Sequence, residues 1–143
     1  MRPLLGITAG DPAGIGLEVV LKSIPSILPL ARAVLFTDRP TFERNAALFG
    51  VGLKYRWIDA LSDVNNEPIL FLRNVAGHAS PIEWGQQSSD SGRRAIAYLD
   101  EASSAALSRS IDAIVTAPVS KEAIGGSFRG QTDFLAERAR VDQ

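Results

Sequence analysis

The chain has 143 residues, with 15 basic and 16 acidic side chains, a formal net charge of −1 and no cysteine. This balance argues against a nucleic-acid-binding or membrane-surface protein, since either would carry a basic excess. The lack of thiols excludes a disulfide framework and a thiolate metal site. No apolar stretch approaches the roughly 20 residues that span a bilayer, and the run after Met1 is too short for a signal peptide. We therefore expect a cytoplasmic chain, long enough for one domain, without nucleic-acid or membrane partners.

The first predicted elements are a strand, a tight turn and a helix. Leu4–Thr8 is a short apolar run bounded by glycine, as in a buried strand. Residues 10–16 (G-D-P-A-G-I-G) form the turn, and residues 17–24 place apolar side chains on one helical face until Pro25 ends the helix. Such a junction places backbone N–H groups at the carboxyl end of a strand, where anions bind in α/β proteins.

The middle of the chain continues the alternation. Four segments are predicted in strand, helix, strand, strand order: residues 33–37, 41–49, 53–58 and 68–72. Asp38 is the predicted N-cap of the helix, and Gly50 is its predicted C′ glycine. The periodic pattern then disappears over residues 73–91, and a loop of this length predicts a functional or mobile excursion.

The last part is predicted to contain a long helix, a strand and two short helices: residues 92–110, 111–116, 120–124 and 132–140. The long helix is rich in alanine, and its predicted inner side carries Ile96, Leu99, Ala106 and Leu107. Thr132 is the predicted N-cap of the final helix. Strands and helices alternate throughout, which predicts β-α-β units and a three-layer α/β fold with a mostly parallel sheet.

The glycine-rich turn matches neither of two common nucleotide-binding motifs. The dinucleotide pattern G-x-G-x-x-G is absent, and no Lys-Ser/Thr pair follows as in a Walker A loop. Two interpretations remain. Gly10, Gly14 and Gly16 could only allow a tight reversal of the backbone, or Asp11 and the free N–H groups could line a ligand cleft.

Other candidate residues follow later strands. Lys121 comes just after a predicted strand, where it could hold a phosphate or carboxylate, or could be an ordinary solvated lysine. Gln131 and Thr132 could bind a ligand, although a capping role also explains Thr132. His78 is the only histidine and has no evident partner, so we interpret it as an exposed loop residue. The scattered carboxylates establish no metal site, and no catalytic residue is assigned.

Taken together, four segments resemble the 4-hydroxythreonine-4-phosphate dehydrogenase family. They are G-D-P-A-G-I-G-L-E at 10–18, S-G-R-R-A at 91–95, T-A-P-V-S-K-E-A at 116–123 and F-R-G-Q-T-D-F-L-A-E-R at 128–138. Their order and spacing match along essentially the whole chain. The resemblance implies a fold like that of isocitrate and isopropylmalate dehydrogenases, with two α/β lobes and a homodimer, and not a Rossmann fold.

The same resemblance implies an activity in vitamin B6 biosynthesis. Such enzymes use NAD or NADP to oxidise a phosphorylated hydroxy-amino acid, which then loses carbon dioxide, and a divalent metal (Zn, Mg or Co) assists as a Lewis acid. Gln131 and Thr132 are the implied substrate-binding residues. Gln131 replaces the family histidine and cannot carry a proton at neutral pH. A related dehydrogenase of another phosphorylated four-carbon hydroxy acid is therefore an alternative.

The resemblance covers only the first half of the family. We therefore expect residues 1–143 to be the N-terminal part of a two-lobed dehydrogenase, with the C-terminal half absent. The metal-binding histidines and most cofactor contacts are expected beyond Gln143, and His78 matches none of them. The isolated chain is expected to be inactive and to leave apolar surface uncovered, which favours self-association. The sequence is also compatible with a phosphate acyltransferase or with a non-catalytic anion-binding fragment.

Overall fold

A computed structural model describes residues 1–141, which fold around a five-stranded parallel sheet. The strands are β1 (Leu4–Thr8), β2 (Arg32–Thr37), β3 (Tyr55–Ile58), β4 (Leu70–Asn74) and β5 (Ala113–Thr116). Their spatial order is β3-β4-β2-β1-β5, and every neighbouring pair is parallel. The predicted α/β class with a mostly parallel sheet is confirmed.

Helices cover both faces of this sheet. They are α1 (Gly16–Ile27), α2 (Arg39–Phe49), α3 (Ser89–Leu107), α4 (Lys121–Ile124) and α5 (Gln131–Ala139), and a 3₁₀ turn spans Leu61–Asp63. The connections through α1 and α2 step along the sheet in one direction, and the connection through α3 steps in the other. Because parallel crossovers are right-handed, α3 lies on the face opposite α1 and α2. The result is three layers, with α4 and α5 packed against α3.

The hydrophobic core lies on β1, β2 and β4. Residues 33–37 of β2 are all buried, as are residues 70–72 of β4. Continuous apolar strands are expected where both sheet faces are covered. The helices complete the core with buried side chains from α1 and α3: Leu17, Leu21, Ile24, Ala95, Tyr98, Leu99, Ala102 and Ala105.

The β5 end of the sheet is far less covered by other elements than β1, β2 and β4 are. No residue within β5, α4 or α5 is buried, although all three elements pack onto the rest of the fold. Val115 in β5 is 43% exposed. We refer to β5, α4 and α5 together as the outer segment.

Several helix boundaries differ from the prediction by one to three residues; α3, for example, begins at Ser89 and not at Gly92. Pro25 does not end α1, because the helix continues to Ile27 and the backbone N–H of Leu28 donates to Ile24 O at 3.0 Å. Pro25 has no N–H and therefore removes one helical hydrogen bond. The helix tolerates this loss in its last turn, where Ile24 is buried in the core. The long helix α3 ends at Leu107, which is 54% exposed and not on the inner side as predicted.

Three caps can be compared with their predictions. Asp38 is the N-cap of α2 as predicted, since its side chain accepts from the Thr41 N–H at 2.9 Å. Gly50 caps α2 without a left-handed conformation; its φ is −112°, whereas Gly52 has φ +80°. Thr132 is not an N-cap, because α5 begins one residue earlier and Gly130 occupies the cap position.

Candidate functional site

The candidate site lies where three neighbouring strands end. Because β1, β2 and β5 are parallel, their carboxyl ends share one edge of the sheet, and ligands bind at this edge in open α/β sheets. The glycine turn follows β1, Asp38 follows β2, and the segment leading to Lys121 follows β5.

The glycine turn packs directly against the end of β5. Gly10 has φ +72°, and a Cβ there would overlap the Pro118 carbonyl oxygen. The Asp11 N–H donates to the same oxygen at 2.9 Å. A Cβ at Gly16 would lie 2.6 Å from Ala9 O. These glycines therefore allow a close approach of two backbones, as in the first interpretation of the turn.

Asp11 holds the turn together. Its side chain accepts from the Ala13 N–H at 2.8 Å, and its carbonyl accepts from the Gly14 N–H at 2.9 Å. The residue is only 4% exposed. The N–H groups of Asp11, Ala13 and Gly14 are thus used internally. Gly10, Asp11 and Gly16 are buried.

A polar cleft of about 540 Å³ lies beside the turn, between the end of β5 and the start of α5. It is lined by Thr116, Pro118, Val119, Lys121, Arg129, Gly130, Gln131, Thr132 and Asp133. The structure therefore brings together Lys121, Gln131 and Thr132, which are separated in sequence. Arg129 also lines the cleft and was missed by sequence reasoning, because a single arginine before a glycine carries no distinctive pattern.

Lys121 lies over the N-terminus of α5. A Cβ at Gly130 would be 3.7 Å from Lys121 Nζ. In the described part of the chain, α5 has no side-chain cap, so its first N–H groups are left for a ligand or solvent. An ammonium group beside an uncapped helix N-terminus favours an anion. The carboxylate of Asp133 reduces the positive charge of the cleft, and it forms an ion pair with Arg129 at 3.2 Å.

Gln131 is fixed by its amide nitrogen. Its Nε2 donates to Ala117 O at 3.1 Å, which joins α5 to the end of β5. Its Oε1 is buried and has no hydrogen-bond partner among residues 1–141. Because a buried acceptor without a partner is costly, a donor from a ligand would be favourable there.

The position of Lys121 depends on α3. A Cβ at Gly92 would overlap the Ala123 carbonyl, so α3 and α4 are in backbone contact. Ser120 caps α4, accepting from the Ala123 N–H at 3.1 Å. Sequence reasoning placed Gly92 at the start of a helix but did not identify this contact.

A buried polar network holds α3 against the end of β2. The Tyr98 hydroxyl donates to Asp38 Oδ2, and Arg94 Nη1 lies 3.5 Å from the same oxygen. Arg94 also donates to Asp90 at 2.7 Å. Burial is the main cause that raises the pKa of Tyr98 well above its ordinary value, and the Asp38 charge adds to it. The tyrosine is therefore neutral and serves as a donor.

A second cavity, of about 430 Å³, lies on the other side of the turn and includes Gly14. Its outer wall is the 75–88 loop, which follows β4. Arg44 holds this loop: its guanidinium lies 4.0 Å from the Trp84 ring centroid and donates to Ile82 O at 2.7 Å. The Gly85 N–H donates to Ala13 O at 2.7 Å. The predicted excursion is thus attached to the glycine turn.

His78 is an exposed residue of this loop. Over residues 1–141, no three His, Cys, Asp or Glu side chains are grouped closely enough to hold a metal ion. The described helices also include none that is long and apolar enough to cross a bilayer.

A parallel α/β lobe with a polar, cation-bearing cleft at its strand ends is typical of enzymes that bind small anionic substrates. Comparison with known proteins specifies the family. Residues 29–143 match the family of the pyridoxal phosphate biosynthetic protein PdxA, and the chain belongs to that family.

Relatives of the chain include proteins that are named as dehydrogenases. A 4-hydroxythreonine-4-phosphate dehydrogenase of Chromobacterium violaceum is 37% identical over 96% of this chain and 42% of its own length. A protein of Cutibacterium acnes, provisionally named D-threonate 4-phosphate dehydrogenase, is 37% identical over 93% of this chain and 41% of its own length. The chain thus spans about two fifths of the length of these relatives.

A solved structure of a related protein agrees with the fold. The 4-hydroxythreonine-4-phosphate dehydrogenase of Burkholderia phymatum superposes with a TM-score of 0.89 at 34% identity, over 100% of this chain and 45% of the other. The predicted isocitrate/isopropylmalate dehydrogenase-like fold is confirmed.

Proposed function

We propose that these residues form one wall of the active-site cleft of an NAD- or NADP-dependent dehydrogenase. The proposed substrate is 4-phosphohydroxy-L-threonine, which is oxidised and then decarboxylated during pyridoxal phosphate biosynthesis. The proposed enzyme is a cytoplasmic homodimer, in which residues 1–143 belong to the N-terminal part of a two-lobed subunit. Family membership supports the reaction class, and the polar cleft supports the location of the substrate.

One observation carries this proposal: Lys121, Gln131 and Thr132 line the same cleft. Lys121 and the N–H groups of α5 would bind a phosphate or carboxylate group of the substrate. The Gln131 Oε1 would accept a hydrogen bond from a hydroxyl or ammonium group. The Thr132 hydroxyl can donate or accept, so it would orient the substrate beside them. These are binding roles, and no proton transfer is assigned to any of them.

Residues 1–141 do not fit a metal site or a dinucleotide site by themselves. They show no group of three or more His, Cys, Asp or Glu side chains that could hold a metal ion, and three N–H groups of the glycine turn (Asp11, Ala13 and Gly14) already donate to protein acceptors. We propose that a divalent metal and the nicotinamide cofactor are held mainly by residues corresponding to the rest of the relatives' length. The 143-residue chain alone is therefore expected to be inactive.

A second candidate is a dehydrogenase of another phosphorylated four-carbon hydroxy acid. Gln131 supports it. The resemblance to the family implies a histidine at this position, and the Gln131 Oε1, which has no partner among residues 1–141, can accept from a substrate hydroxyl. The Cutibacterium acnes relative is named for such a substrate, D-threonate 4-phosphate.

Titration of the isotope-labelled chain with 4-phosphohydroxy-L-threonine and with D-threonate 4-phosphate tests the cleft. We expect amide shifts at Lys121, Gln131 and Thr132, and at least tenfold weaker binding in Lys121→Met because one ligand charge loses its partner. Lys54→Met is the matched control, because this exposed lysine precedes β3 at the opposite sheet edge. Shifts that avoid the cleft, or equal losses in both variants, would contradict the proposal.

The reaction is tested separately by NAD(P)⁺ reduction with a divalent metal. The 143-residue chain should give no turnover with either substrate. Clear turnover by a preparation whose intact mass corresponds to 143 residues would contradict this. It would show that the groups needed for catalysis lie within these 143 residues and not in the remaining part of the relatives' length.

A further inference from the structure

The polar cleft beside the glycine turn is lined by two cationic side chains of different chemistry, Lys121 and Arg129. Lys121 carries a compact ammonium group that acts as a point charge, and this group lies beside Gly130 at the start of α5. Arg129 carries a planar guanidinium group, whose parallel N–H groups match the two oxygens of a carboxylate. The two cations are therefore suited to different anionic groups of one ligand.

Arg129 is held at the cleft by two carboxylates of α5. Its Nε lies 3.2 Å from Asp133 Oδ2, and its Nη2 lies 3.6 Å from Glu137 Oε1. The side chain of Arg129 is 70% exposed, and that of Glu137 is 72% exposed. Because ion pairs this exposed contribute little to stability, the guanidinium can exchange one of these partners for a ligand carboxylate at a small cost.

Asp133 does not need Arg129 to stay ionised. It lies in the first turn of α5, where the helix dipole favours a negative charge. Its side chain is 25% exposed, so water can also solvate the carboxylate. If the guanidinium of Arg129 turns to a ligand, Asp133 is therefore still stabilised by the helix terminus and by solvent.

We propose that Arg129 is a specificity-determining residue, which selects ligands that carry a carboxylate in addition to a phosphate. In this arrangement the phosphate binds Lys121 and the N–H groups of α5, and the carboxylate binds the guanidinium of Arg129. The inference rests on the proposed function, because it divides the anionic groups of the proposed substrate between two cations of the same cleft. A phosphate ester without a carboxylate leaves Arg129 paired with Asp133 and gains only the contacts around Lys121.

The competing interpretation is that Arg129 only links the segment before α5 to the surface of that helix. Exposed arginine–carboxylate pairs are common on protein surfaces and commonly have no binding role. In that case a carboxylate on the ligand would not change its affinity. The location of Arg129 in the same cleft as Lys121 favours the binding role, and the two interpretations predict different affinities.

The test compares two phosphate esters that differ in one group. They are D-threonate 4-phosphate and D-threitol 4-phosphate, in which a hydroxymethyl group replaces the carboxylate. Isothermal titration calorimetry of the 143-residue chain gives both dissociation constants. We expect the carboxylate to tighten binding about fivefold, because a charge-assisted pair at an exposed site is partly screened by solvent. The NMR signal of the Arg129 Nε–H should shift with the threonate ester and not with the threitol ester.

Two glutamine variants are matched for exposure. Arg129→Gln removes the guanidinium from the cleft, and Arg93→Gln removes one from α3, whose side chain is also 70% exposed and paired with an aspartate. We expect Arg129→Gln to abolish the preference for the threonate ester and Arg93→Gln to retain it. Arg129→Lys keeps the charge without the planar guanidinium and should retain a preference of about twofold. Circular dichroism of each variant verifies folding.

The failure of this inference and the failure of the proposed function give different results. Equal binding of the two esters, with amide shifts at Lys121, Gln131 and Thr132, would overturn the inference and leave the proposed cleft supported. A preference that Arg129→Gln retains, or that Arg93→Gln also abolishes, would overturn the inference as well. Absence of binding by both esters would contradict the proposed function and overturn the inference with it.

Discussion

β2 and β5 belong to the same sheet, yet they are stabilised very differently. Five of the six β2 residues are buried, whereas β5 has no buried residue and neither have α4 and α5. The buried side contains the core and the network around Asp38, while the outer segment contains Lys121, Gln131 and Thr132. The core therefore supports the candidate site without enclosing it. Substitutions in the core should reduce stability much more than substitutions in the outer segment do.

The largest expected difference comes from truncating one apolar side chain on each side. Phe36→Ala removes a fully buried ring from β2 and should reduce the free energy of unfolding by about 3–5 kcal/mol. Leu135→Ala, in the half-buried face of α5, should cost less than about 1 kcal/mol because less area is buried. Denaturant unfolding of both variants measures this. Equal losses would mean that the outer segment is as tightly packed as the core.

An intermediate effect is expected in the buried polar network. Tyr98→Phe removes the hydroxyl that donates to Asp38 and should cost about 1–3 kcal/mol, since a buried carboxylate loses a partner. Tyr55→Phe, on the exposed edge strand, should change stability by less than about 0.5 kcal/mol. A neutral Tyr98→Phe would show that Arg94 and Thr41 satisfy Asp38 by themselves.

The same network makes stability depend on pH. The pKa of Tyr98 is raised in the folded state, so the folded chain retains a proton that the unfolded chain loses near pH 10. The contribution is complete below about pH 10 and decreases as the pH rises, by up to about 1.4 kcal/mol per pH unit. Unfolding at pH 9 and pH 11 measures it. Tyr98→Phe should remove this part of the dependence, and an unchanged slope in the variant would assign the loss to other groups.

The smallest effect compares two matched helix caps. Ser88 caps α3 and Ser120 caps α4, each accepting a backbone N–H at 3.1 Å. Ser88→Ala should cost about 1 kcal/mol, because α3 is long and packed on the sheet. Ser120→Ala should cost less than about 0.5 kcal/mol, because α4 has four residues and no buried side chain. Thermal unfolding resolves the two, and a reversed order would contradict the comparison.

Much of the buried side could be predicted from the sequence. The sequence predicts β1 with its observed bounds and β2 to within one residue, because an apolar run between breakers is most stable as a buried strand of a parallel sheet. The N-cap at Asp38 follows from local chemistry alone. The predicted end of α1 at Pro25 was wrong, because α1 continues to Ile27. Local propensity does not account for tertiary packing, and the packing of Ile24 stabilises the last turn.

The site was less predictable. Lys121, Gln131 and Thr132 could be named from segments that resemble the family, but their common cleft depends on non-local contacts. One is the close approach of α3 and α4 at Gly92, and another is the hydrogen bond from Gln131 to Ala117. For the same reason, Gly10 and Asp11 could not be recognised in advance as buried supports, because their partner Pro118 is distant in sequence.

The arginine–tryptophan contacts have an optical consequence. The chain has two tryptophans, and each lies close to one guanidinium: Trp57 near Arg39 and Trp84 near Arg44. Trp57 belongs to the sheet, whereas Trp84 belongs to the 75–88 loop. Release of the loop would therefore change the emission of Trp84 alone, and global unfolding would change both. Intrinsic fluorescence of single-tryptophan variants thus provides separate signals for the loop and for the folded core.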